Sequence, residues 1–142
     1  MVEIMDPEYH DKVLAITSHI PHLIAYNIVG TANDLANISK KEVVKYSAGG
    51  FRDFTRIAAS DPIMWRDIFI NNSSAVLEML NYFSNDLDKL KSAIEDNNYE
   101  YLEDFFKKTR DVRKNIIEAG QDTQKVDFGR GDWSILVLAL YQ

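Results

Sequence analysis

Residues 73–95 read SSAVLEMLNYFSNDLDKLKSAIE. Within this run Val76, Leu80, Phe83, Leu87, Leu90 and Ile94 alternate spacings of four and three. That spacing lines them along one stripe of an α-helix, the seam of a helix that packs on another helix. Asp96-Asn97-Asn98 interrupts the pattern, and it resumes with Leu102, Phe105, Phe106, Thr109, Val112 and Ile116. Two amphipathic helices joined by a polar break predict an antiparallel helical hairpin. Two such seams in a chain of 142 residues also predict surplus apolar surface and a homodimer. The alternative is that both seams face one core within the chain.

Working upstream, Ser60-Asp61-Pro62 combines a capping side chain with a proline and predicts a helix carrying Ile63, Met64, Trp65, Ile68 and Phe69. Before it stands Gly49-Gly50-Phe51-Arg52-Asp53-Phe54-Thr55-Arg56-Ile57-Ala58. This reads as a helix opened by two glycines, whose first backbone N–H groups lie bare for an anion. Arg52 and Arg56 are four apart and share a helical face, where a guanidinium fork grips a carboxylate through two parallel hydrogen bonds. The pattern suits an acidic small molecule. It equally suits a solvated helix whose arginines pair with Asp53 or Asp61. Phe51 and Trp65 read first as core residues and second as an apolar wall beside the arginines. Ser39 is placed to cap a short helix over residues 41–46.

The first helix opens with Asp6 as cap, Pro7 at its first position and Glu8 in its first turn. It is expected to run to about Gly30 or a few residues beyond, with a kink or break near residues 17–21 because Pro21 removes a backbone donor. On an ideal helical wheel Val13, Ile16, Ile20, Leu23 and Ile24 share one side, while Asp11, Ser18 and His22 share the other. A stripe of carboxylate, hydroxyl and imidazole reads as a wall of a polar pocket, or as a solvated face. His19 and His22 could join His10 or Asp11 on a metal, but His10 and His19 point about 180° apart on an ideal helix, so no metal site is expected.

Composition sets the outer bounds. A chain 46% hydrophobic and 27% charged fits one globular domain. Cysteine is absent, which excludes disulfide stapling and suits a reducing compartment. A formal charge of -6 argues against a nucleic-acid or anionic-membrane surface. The N-terminus lacks the features of a secretory signal, and the apolar run at residues 135–141 is far short of the ~20 residues of a bilayer span. A soluble, cytoplasmic protein is expected. Strand signals are nearly absent, so the fold class is all-α, with residues 133–141 open to either strand or helix. The sequence holds no glycine-rich dinucleotide turn, phosphate loop or nucleophile elbow. The chain by itself is therefore not expected to bind a dinucleotide.

His10-Asp11, Ser18-His19-Ile20-Pro21-His22, the Gly49–Ala58 segment and Asp61-Pro62-Ile63-Met64-Trp65, in this order and spacing, closely resemble the C-terminal helical domain of prephenate dehydrogenase. That is a helical dimerisation domain like the C-terminal domain of 6-phosphogluconate dehydrogenase. The resemblance covers roughly residues 1–118; it places the domain at 1–120 and leaves 121–142 as a tail. It implies oxidative decarboxylation in tyrosine biosynthesis, in which prephenate, or the related arogenate, loses a hydride to NAD or NADP and then carbon dioxide. By resemblance Arg56 is the main ligand of the dicarboxylate, His22 faces the substrate, Gly49 offers backbone near it, Trp65 forms an apolar wall, and Asp11 orients or gates Arg56 through an ion pair. The resemblance also implies a homodimer through the helical domains. The nucleotide-binding domain, with most of the cofactor site and the catalytic base, is expected outside this chain, so no catalytic residue is assigned within it and the chain reads as a fragment. A second reading is a noncatalytic helical module for dimerisation or for sensing an acidic metabolite.

Overall fold

The computed structural model describes residues 4–34 and 40–121. Every regular element among them is helical. Seven α-helices follow one another: α1 (Pro7–Leu14), α2 (Ile20–Asp34), α3 (Lys40–Tyr46), α4 (Gly49–Thr55), α5 (Pro62–Asn71), α6 (Ser73–Glu95) and α7 (Tyr99–Ile116). They fall into two compact units, one within Met5–Tyr82 and the other from Phe83 onward. Ser39 and residues 133–141 lie outside the described residues.

Local chemistry sets the helix starts. Asp6 accepts from the Tyr9 amide at 3.1 Å, with Pro7 next in the chain. Asp61 accepts from both Ile63 and Met64, at 2.8 and 2.9 Å, ahead of α5. In each case the aspartate satisfies N–H groups that the first turn leaves without helical partners, and proline fills a position that needs no N–H. The break after α6 has a definite geometry. Asn97 takes a left-handed conformation with φ 51°, and Asn98 accepts from the Tyr101 amide at 3.1 Å to start α7.

Helices α1 and α2 form one continuous run, joined by a π-helical turn over Ala15–His19. The amide of Ile20 reaches back five residues to the Ala15 carbonyl. Pro21 has no N–H, and its ring crowds the carbonyl four residues earlier. Widening the preceding turn lets the helix pass the proline without breaking. The expected disturbance is thus present, as one widened turn. By length and composition this 28-residue run, whose most apolar 18-residue window has a mean hydropathy of 1.3, is apolar enough to cross a membrane. In the structure it carries the buried residues Ala15, His19, Ile20 and Ala25, and it packs against α3, α4 and the turn after α4.

One expectation needs correction. The arginine segment is not one α-helix: α4 ends at Thr55 and Arg56–Ala59 tightens into a 3₁₀ turn. Ser60, whose hydroxyl donates to the Ile57 carbonyl at 2.7 Å, closes that turn, and the extended Asp61 required before Pro62 ends the helix. The hairpin turn between α6 and α7 is present, and part of each seam stays exposed, as the surplus of apolar surface predicted. Leu87 and Ile94 stay 53% and 65% exposed, and Phe106 stays 56% exposed.

Candidate functional site

The unit within Met5–Tyr82 holds every residue singled out for a site. At its centre His22 of α2 stacks on Trp65 of α5, with ring centroids 3.6 Å apart and planes 23° from parallel. Trp65 is only 6% exposed, in agreement with its reading as a core residue. Its Nε1 is buried with no hydrogen-bond partner among the described residues. Phe69, one turn along α5, tilts against the same indole at 5.5 Å.

The Ser18 carbonyl accepts from His22 Nδ1 at 2.8 Å. A carbonyl can only accept, so the ring proton of neutral His22 sits on Nδ1 and Nε2 carries the lone pair. Burial lowers the pKa of His22 below its usual value, and the Ser18 bond partly offsets that. At neutral pH the side chain is therefore a neutral imidazole, one face against an indole and one nitrogen ready to accept a hydrogen bond.

His19 is buried. Four residues after Ala15, it shares the face that this run turns into the core, where Ala15 is buried as well. There it meets Trp65 edge-on at 6.1 Å and Phe69 at 6.5 Å. Ile16, assigned to the apolar side, is exposed. The pKa of His19 is lowered first by burial and then by the nearby His22, against the pull of Asp11.

Asp11 is exposed on α1, and its carboxylate lies 3.2 Å from His10 Nδ1. Arg56 stands at the start of the 3₁₀ turn and Gly49 at the start of α4, both exposed. Both segments pack against α2, and the Tyr26 hydroxyl holds the turn by donating to the Ser60 carbonyl at 2.9 Å. A Cβ at Gly49 would come no closer than 3.9 Å to the Asp53 carboxylate, so packing within this chain does not require glycine there. Lys12, bridging Glu8 at 3.5 Å and Glu78 at 3.4 Å, ties α1 to α6. Among the described residues no three acidic or imidazole side chains converge as a metal site would need.

Sequence reasoning missed Tyr26 and Asn72, whose partners are remote in the chain.

Residues 6–108 match the model of the family described as prephenate dehydrogenase, dimerization domain. The chain belongs to this family. It is 44% identical over 112 residues to the cyclohexadienyl dehydrogenase of Zymomonas mobilis, covering 79% of this chain and 38% of that enzyme. Against the prephenate dehydrogenase of Bacillus subtilis it is 38% identical, over 79% of this chain and 30% of the enzyme. Among solved structures, the prephenate dehydrogenase of Aquifex aeolicus in complex with hydroxyphenyl propionate and NAD+ superposes with a TM-score of 0.74 at 41% identity, over 82% of this chain and 40% of that one. This dimerisation domain thus spans well under half the length of the enzymes it resembles. The all-helical fold agrees with that superposition.

Proposed function

We propose that the chain is the substrate-binding and dimerisation part of a prephenate or arogenate dehydrogenase, which converts prephenate to 4-hydroxyphenylpyruvate as NAD or NADP takes the hydride and carbon dioxide leaves. The observation that carries this reading is the His22–Trp65 stack. In a member of this family, an apolar indole face joined to an imidazole of fixed tautomer suits a ring that bears polar groups. Hydroxyphenyl propionate, bound to the Aquifex aeolicus relative, has that chemistry. In this role His22 Nε2 accepts a hydrogen bond from the substrate, Trp65 excludes water from one face, and Arg56 binds a carboxylate through its planar fork. Gly49 lends backbone at the start of α4, and Asp11 remains the candidate for orienting Arg56 once substrate draws the guanidinium in.

The dinucleotide is assigned mainly to a nucleotide-binding domain outside this chain, because the sequence has no glycine-rich strand-to-helix turn of the kind that cradles a pyrophosphate. The catalytic base is assigned to the same domain, and the setting is the cytoplasm. Dimerisation is assigned to the exposed seams of α6 and α7, which present Leu87, Ile94, Phe106 and Val112.

Calorimetric titration of the chain with hydroxyphenylpyruvate tests the assignment of Arg56. Loss of a charge-assisted pair is worth about 1.5–3 kcal/mol, so Arg56→Ala is expected to weaken binding by roughly tenfold to a hundredfold. Equal affinity in the two proteins would remove Arg56 from the site.

A further inference from the structure

His19 is the buried polar residue among the described ones, and an imidazole in apolar surroundings needs a hydrogen bond to stay there. It comes from Asn72, at the junction of α5 and α6, whose Nδ2 lies 3.2 Å from His19 Nδ1. The same Nδ2 lies 3.0 Å from the Asp11 carbonyl. Because that carbonyl can only accept, it identifies the Asn72 nitrogen, and the second N–H of the amide points at a lone pair on His19 Nδ1. The ring proton of His19 is then on Nε2, the opposite tautomer to His22. One indole meets both rings: Trp65 takes His22 on its face and His19 at its edge, with the latter planes 79° apart.

We propose that Asn72 and His19 form a positioning pair for the substrate wall. Asn72 clips the imidazole to the end of α1, the imidazole edge fixes the plane of Trp65, and that plane fixes the ring of His22. This rests on the reading of His22 and Trp65 as the wall of a substrate site; neither Asn72 nor His19 touches the ligand. The interaction is polar in sense as well as in strength, since only a donor at position 72 satisfies both the Asp11 carbonyl and the His19 lone pair.

Asn72→Asp keeps the shape and reverses that sense. It sets a carboxylate against the Asp11 carbonyl and draws a proton onto His19 Nδ1. The test uses the whole 142-residue chain carrying Trp133→Phe, so that Trp65 supplies the sole indole signal, with long-range proton–nitrogen spectra of its three histidines. In the parent, His19 is expected to be neutral with Nε2 protonated, and His22 neutral with Nδ1 protonated. In Asn72→Asp at neutral pH, His19 is expected to become an imidazolium, the Trp65 indole N–H resonance to move, and hydroxyphenylpyruvate to bind about fivefold to tenfold more weakly, the scale of one lost hydrogen bond. A parent His19 protonated on Nδ1 overturns the pair without any variant. So does an Asn72→Asp protein in which the Trp65 and His22 signals and the affinity stay unchanged. A parent chain that shows the expected tautomers but does not bind hydroxyphenylpyruvate overturns the substrate reading, and with it the pair's role at the wall.

Discussion

His19 and His22 sit three residues apart on one helix and answer to different neighbours. His19 is held as an acceptor by Asn72, while His22 donates to the Ser18 carbonyl. Both have pKa values lowered from 6.5 chiefly by burial. Below that value the unfolded chain takes up protons that the folded chain resists, so the folded state loses ground as the pH falls. The stability they contribute is fully present above 6.5 and declines as the pH drops toward their lowered folded values. Thermal unfolding is therefore expected to show a Tm that falls as the pH drops below 6.5, before most carboxylates begin to titrate; a flat profile there would contradict neutral burial of both rings. The sequence offered His22 as a candidate site residue through its place beside Asp11 and Ser18 on the wheel. The hydrogen bonds of Asn72 were not legible there, because Asn72 bonds to the Asp11 carbonyl across 61 positions of chain, a distance at which no local pattern operates.

Elements whose boundaries depend on adjacent residues were legible almost to the residue. Asp6-Pro7 and Asp61-Pro62 start α1 and α5 because cap and proline act within one turn. The arginine helix was read too long because Thr55 and Arg56 carry no breaking signal themselves; the 3₁₀ turn is imposed from downstream by Ser60 and the proline pair. The α6–α7 turn gives a direct test of local control. Asn97 holds φ 51°, a conformation that asparagine tolerates and a β-branched residue does not. Asn97→Val is expected to lower stability by about 1–2 kcal/mol, read as a lower urea midpoint with unchanged slope. A neutral result would mean that the turn can relax to another conformation.

Fold class was legible at the scale of the whole chain because the periodicity of α6 and α7 is long and regular. What covers their seams was not, since a stripe of leucine and phenylalanine looks the same whether it faces its own chain or another. The structure leaves Leu87 and Phe106 more than half exposed, as a dimerisation domain requires before its partner is added. Replacing Leu87 with a charge should therefore break assembly more than it harms the fold. Leu87→Asp is expected to sediment as a monomer at concentrations where the parent is a dimer, with helical circular dichroism largely kept, and a variant that stayed dimeric would move the interface elsewhere. Uncovered seams have a further consequence for how such a protein's stability is stated. If association buries the apolar faces of α6 and α7, folding and assembly share one equilibrium, and mass action enters the balance. Each tenfold dilution then withdraws about 1.4 kcal/mol per dimer from the folded side, so a melting temperature for this domain has meaning only beside the concentration at which it was measured.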